Sequence, residues 1–233
     1  MSYECKFCKK SFGSEKTLIT HLCEPKRRWN NRKDKNVQLA FRCYQHFWRI
    51  TSTAMKTERT YDDFMTSKYY TAFVKFANYI GDVYVASIED YIEWLLKGRV
   101  KVDRWSSDVV YEQYITEFAV RESVERAVER TVLSMKNWGE ENHMPWNVFF
   151  EKISKPRGIH MIRSGQISPW VLYNSRTGLS FLEALTPQET VMVEDYICPS
   201  SWSRRFNQSQ GDVDFVHEIM KKALIGGDGK HAP

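Results

Sequence analysis

Apolar residues recur at helical spacing through most of this chain. Val37, Ala40, Phe41, Tyr44, Phe47 and Trp48 repeat every three or four positions from about Asn36, which predicts a helix with its aromatic stripe in a core. Arg42 and Arg49 fall on its other side. A second helix is predicted from Tyr61 to Ile80, capped by Thr60 with Asp63 beside the first turn and stopped by Gly81. Phe64, Phe73, Phe76 and Ile80 make its buried face. A third runs from Ser87 to Leu96 and ends at Gly98. Ser107 opens a long helix through Trp138. Val110, Tyr114, Phe118, Val124, Val128 and Val132 are its inward positions, and Glu122, Glu125, Arg126, Glu129 and Arg130 give it a salt-bridged exposed side. Pro145, Pro156 and Gly158 punctuate a shorter helix around Trp146 to Ile153. A looser joint follows, Ser154 to Gly165. Ser168-Pro169 and Thr186-Pro187 then each read as a cap with Pro at the first helical position, starting helices at about 169–175 and 187–197. A last helix is predicted from Val213 to Leu224, before a Gly-rich tail.

The N-terminal residues follow a different pattern, Cys5-x2-Cys8-x3-Phe12-x5-Leu18-x2-His21. Two cysteines three apart on a tight hairpin turn both thiolates onto one ion, and a following helix brings an imidazole to it. Phe12 and Leu18 supply the small core beneath. A module of about 25 residues cannot fold on apolar burial alone, so metal binding is its folding energy. Ser14 or Gly13 opens the helix, with Glu15 to His21 inside it.

This stretch resembles the two-Cys, two-His zinc-finger family, and the match is complete through His21. The resemblance implies a small ββα unit on one Zn2+. The fourth ligand departs from the family, which places His or Cys three to five residues after His21, at Glu24, Pro25 or Lys26. This chain offers Cys23 instead. Residues two apart on a regular helix point about 200° from each other. His21 and Cys23 therefore reach one ion only if the helix ends or tightens near Leu22, and Pro25 favours an early end. Cys43 and His46 are the alternative ligands, both requiring a chain reversal.

Composition sharpens the picture. Apolar residues make up 42% of the 233 positions, enough for a real core. No apolar run approaches the roughly 20 residues needed to span a bilayer, and Met1-Ser2-Tyr3-Glu4-Cys5 has no signal-peptide core. A cytoplasmic or nucleoid location without membrane partners is the expectation. The predicted fold is mainly α: a zinc finger (1–25), a basic linker (26–35), a two-lobed all-helical body (36–155 and 156–225) and a flexible tail (226–233).

The net charge of +5 is unevenly spread, because residues 1–50 hold twelve Lys/Arg against four Asp/Glu. Attraction for polyanions is thus concentrated at one end. Within it, Lys26, Arg27, Arg28, Trp29, Arg32, Lys33 and Lys35 form a basic run with an aromatic inside. Lys and Arg neutralise phosphates, and Trp29 can stack on a base. Arg42 continues the basic surface. Trp202-Ser203-Arg204-Arg205-Phe206 is a second candidate, two arginines framed by aromatics that can grip phosphate.

No catalytic constellation emerges. There is no Walker-type phosphate loop, no dinucleotide fingerprint and no Gly-x-Ser-x-Gly elbow. His143 and His160 stand alone, and Asp62-Asp63 and Glu140-Glu141 read as solvated charges. In the body, Lys68-Tyr69-Tyr70-Thr71-Ala72-Phe73, Tyr79-Ile80-Gly81-Asp82 and Gly165-Gln166-Ile167-Ser168, followed by a helix with Phe181-Leu182, resemble the helicase-loading proteins of T-even-type phages. That resemblance covers residues 60–224 and implies an all-helical protein that binds forked and single-stranded DNA and recruits a replicative helicase. Three functions are carried forward: a DNA-binding accessory factor of phage replication, a transcription regulator that binds DNA and RNA polymerase, and a DNA-processing or base-modifying enzyme. A single finger reads only about three base pairs, which weakens the second.

Overall fold

The computed structural model describes residues 2–52 and 58–223; the tail read at 226–233 lies outside them. The fold is mainly α, with one two-stranded hairpin at the N-terminus. No helix among the described residues is long and apolar enough to cross a membrane. The chain divides into two compact units, one made of Met1–Val83 with Ser87–Ser107, the other of Tyr84–Ala86 with the chain from Asp108 on.

The first unit opens with antiparallel strands Tyr3–Glu4 and Ser11–Phe12, paired Tyr3 to Phe12 and Glu4 to Ser11. Short helices Glu15–Thr20 and Glu24–Asn30 and a 3-10 turn, Asn31–Lys33, lead into the helix Lys35–Thr51. The basic stretch is therefore a folded element and not a linker. Asp34 caps the long helix by accepting from the Asn36 N–H at 2.9 Å. Helices Tyr61–Thr66, Tyr70–Val83 and Ile88–Lys97 and a 3-10 turn Val102–Arg104 complete the unit. The helix expected over 61–80 is broken, because Ser67 turns extended (ψ 142°) and its Oγ accepts the Tyr69 N–H at 3.0 Å. Beyond the break it runs past Gly81 to Val83. Trp105 is fully buried here, with the rings of Phe47, Phe73 and Phe76 at 5.9, 5.6 and 5.3 Å. Its Nε1 donates to the Val100 carbonyl at 3.0 Å.

In the second unit, helices Asp108–Arg121 and Val124–Asn142 replace the single helix expected from Ser107 to Trp138. Ser123 breaks the run by capping the next helix, its Oγ accepting from the Arg126 N–H at 3.4 Å. Glu122, expected on the exposed side, is buried and paired with Arg130, whose Nε donates to it at 3.1 Å. The looser joint expected at 154–165 is a helix, Lys155–Arg163, with Pro156 in its first turn. Val124 to Met220 contribute to one continuous core, so the division between units falls at Ser107/Asp108 instead of near 155. At its heart lies Pro169–Tyr173, buried at every position. Gly165 has φ +76°, and a Cβ there would meet Ile115 Cδ1 at 2.3 Å, so only glycine fits that turn. Arg176–Glu183, Pro187–Val191, Glu194–Ile197, Pro199–Gln208 and Gln210–Lys222 follow. The single helix expected at 187–197 is two short ones, separated at Met192–Val193.

Candidate metal centre and basic surface

The hairpin turn is built to converge two thiols. The Cys5 N–H donates to the Lys10 carbonyl at 2.9 Å and the Lys9 N–H to the Cys5 carbonyl at 2.8 Å, with Lys9 in the left-handed region. Ser14 then caps the helix Glu15–Thr20, its Oγ accepting from the Thr17 N–H at 3.2 Å. The helix stops one residue earlier than the sequence suggests. His21 is already outside it, with φ −66° and ψ 123°, and Cys23 is extended as well, at φ −80° and ψ 162°. In extended chain, residues two apart point to the same side. A His-x-Cys spacing that a helix would splay is thereby made convergent.

The four candidate ligands Cys5, Cys8, His21 and Cys23 come together, with their donor atoms all within 4.8 Å of one another. Cys5 Sγ lies 3.9 Å from Cys23 Sγ, and Cys8 Sγ lies 3.2 Å from His21 Nε2. A tetrahedral ion with metal–sulfur bonds of about 2.3 Å and metal–nitrogen bonds of about 2.0 Å sets sulfur–sulfur edges near about 3.8 Å and sulfur–nitrogen edges near about 3.5 Å. The donor set and its spacing fit such an ion. The Phe12 ring packs against the His21 imidazole at 4.6 Å, and Cys5 is buried. Backbone N–H groups, that of Cys8 foremost, pull the Cys5 thiol down to about 7. At Cys8 the Lys10 backbone pulls the same way, but burial and the neighbouring thiols of Cys23 and Cys5 outweigh it and raise that group. The alternative ligands stand elsewhere. Cys43 is buried in the helix Lys35–Thr51, its thiol pushed up to about 12 by burial. The His46 Nδ1 accepts from the Arg49 guanidinium at 2.5 Å.

Cys23 is also the N-cap position of the helix Glu24–Asn30, which carries the basic run. Lys26 turns back over the preceding segment, its Nζ donating to the carbonyls of His21 at 2.8 Å and Ile19 at 3.2 Å. Arg27 and Arg28 both pair with Glu24, and Arg28 foremost holds that carboxyl below its usual range. Arg28 is largely consumed by the fold. Its Nη1 donates to the Met65 carbonyl at 2.8 Å, its guanidinium lies 4.4 Å over the Tyr70 ring, and its own carbonyl accepts from Tyr61 Oη at 2.7 Å.

Trp29 does not stand free for a base. Phe7 and Tyr61 each pack against it at 6.2 Å, and the Arg32 guanidinium sits over its ring at 4.4 Å. Lys33, Lys35 and Arg42 are exposed, and no ion pair among the described residues involves them. Arg204 is exposed too, but Arg205 is structural. It donates to the Ala119, Val120 and Glu122 carbonyls at the end of the helix Asp108–Arg121 and stacks on Trp170 and Trp202 at 5.3 and 5.2 Å. It thus satisfies carbonyls that a helix end leaves open. Arg49, which the sequence places with Arg42 on the outer side of the helix, is exposed, as are Lys10 and Lys16.

No protein-family model matches the chain, and no curated protein or solved structure matches it.

Proposed function

We propose that this chain is a zinc-dependent DNA-binding accessory protein, acting on forked or single-stranded DNA in phage-type replication and bringing a helicase or polymerase to it. The observation that carries the reading is the double role of Cys23: it belongs to the four-donor cluster and it begins the basic helix. An ion held there fixes the start of the segment that bears Lys26, Arg27, Lys33 and Lys35. Three thiolates and one imidazole in a closed tetrahedral set favour Zn2+, a ligand set of structural and not catalytic type, with no position left for a substrate. A concentration of cations beside it supports a polyanionic partner. The helicase-loading part of the reading rests on the body's sequence likeness and its mainly helical fold.

The test is a metal assay joined to a gel-shift panel of duplex, single strand, fork and RNA. The purified protein is expected to hold about one equivalent of zinc and to shift the fork at the lowest concentration. Cys23→Ser should lose the metal and most of the binding, whereas Cys43→Ser should keep both. Metal-free protein with an ordered N-terminus would overturn the zinc assignment. Absence of any shift at low salt would overturn the DNA reading.

A further inference from the structure

The helix Lys35–Thr51 contains no Asp or Glu. Its buried positions are Val37, Ala40, Cys43 and Tyr44. Diametrically opposite lie Lys35, Arg42 and Arg49, all exposed and spaced by sevens. Seven residues turn a helix by about 700°, some 20° short of two full turns, so the three form one nearly straight row. The row is about 21 Å long at about 1.5 Å per residue, the axial length of about six base pairs.

Glu93 lies 3.7 Å from His46 Nε2, and among the described residues no ion pair reaches the row. Arg49 donates to the imidazole Nδ1 of His46 at 2.5 Å and keeps its charge uncompensated. The amides between the cations are engaged, Gln38 with the Arg32 carbonyl and Gln45 with the Arg59 carbonyl at 2.9 Å. They are spent on the protein, which leaves the face with charge and little to read base edges.

We propose that this face is a rail for the phosphate backbone of double-stranded DNA, the duplex arm of whatever DNA the chain engages. The proposal rests on the DNA-binding reading and adds the strandedness and the surface. Charge complementarity argues for phosphate. Rigidity argues for duplex: three cations at fixed intervals on a straight rod suit a backbone whose phosphates are themselves fixed. Single-strand binding instead uses unengaged aromatic faces. Phe41, Tyr44, Phe47 and Trp48 of this helix, however, pack ring on ring within the fold, as Trp29 does. A straight cationic row without stacking partners grips stiff DNA independently of its sequence.

Full-length protein loaded with zinc is titrated by fluorescence anisotropy against a blunt duplex of about two helical turns and against oligo-dT of equal length, over a range of KCl. In the variant Lys35→Gln/Arg42→Gln/Arg49→Gln the log–log salt slope on duplex is expected to flatten by about two to three, at about 0.9 per phosphate, with affinity falling on the order of a hundredfold at 0.1 M salt. Oligo-dT binding should change far less. Circular dichroism checks the fold. If the triple variant is misfolded, each single variant should flatten the slope by about one, and Arg42→Lys should restore it. An unchanged duplex slope overturns the rail, and equal losses on both probes overturn its assignment to duplex. Wild-type protein that binds neither probe overturns the DNA-binding reading itself, an outcome distinct from the other two.

Discussion

At the scale of single residues, neighbouring hydroxyls and burial send two cysteines in opposite directions. Cys198 opens the helix Pro199–Gln208, where the Ser200 hydroxyl at 3.3 Å and that of Ser201 at 3.4 Å pull its thiol down to about 7. Cys43 is pushed up to about 12 by burial. Near neutral pH a large fraction of Cys198 is thiolate, the reactive form, whereas Cys43 is almost wholly thiol. In metal-loaded protein, iodoacetamide should therefore modify Cys198 first, followed by peptide mass spectrometry. Equal rates at Cys43 would contradict the reading. Residue chemistry was legible where the residue type itself carries the signal: Cys5, Cys8 and His21 follow from spacing, whereas Cys23 joins them only because the chain is extended at His21 and Cys23. Glu122 shows the limit. Surrounded in sequence by Glu125, Arg126, Glu129 and Arg130, it reads as one more solvated charge, and only the chain break at Ser123 turns it inward against Arg130. The partner is eight residues away, too far for a helical pair and invisible to any i,i+4 rule.

Elements were legible as types and obscure at their breaks. Apolar periodicity continues across Ser67 and Ser123, and a serine is a weak stop signal because helix interiors tolerate it even though its hydroxyl favours caps. Pro25 gave clearer notice of an ending: it favours an early stop for the helix before it, which does end at Thr20, and it sits in the first turn of the next helix. The helix Glu24–Asn30 was hidden by its own charge, since a run of Lys and Arg reads as solvent-facing linker. Its anchor is Trp29, wedged between Phe7 of the N-terminal hairpin and Tyr61 of the helix Tyr61–Thr66. Trp29→Ala is expected to destabilise the first unit by about 2 kcal/mol, below the cost for a fully buried Trp because this ring is half-buried. Urea unfolding followed by far-UV circular dichroism measures it, and an unchanged midpoint would show that finger and helices are independent. Deleting residues 1–35 should cost more, because it uncovers Tyr61 and removes the Arg28 bond to Met65.

At the scale of the molecule, a small N-terminal module, a basic linker and a two-lobed body jointed near 155 are expected, whereas the chain divides into two compact units, the N-terminal module lying within the first. The proline and glycine cluster at 156–165 looks like a joint because those residues interrupt periodicity. Here they instead build the capped helix Lys155–Arg163 and the Gly165 turn inside one core. The true border at Ser107/Asp108 has no such punctuation. Trp105, just before it, is the ring on which Phe47, Phe73 and Phe76 converge. Trp105→Ala should cost about 4 kcal/mol by chemical denaturation, and a loss under about 1 kcal/mol would mean that the first unit does not depend on it.

The position of Trp105 also sets an order of events on the ribosome. The hairpin and basic helix are made before the rest of their unit, and the ring that completes it follows about a hundred residues after the hairpin, some 5 to 20 seconds at ordinary elongation rates. Through that interval the cysteines of the candidate metal site and the aromatics beside them have no finished scaffold behind them. Stalled chains released just before and just after Trp105 has left the exit tunnel should differ sharply in protease resistance.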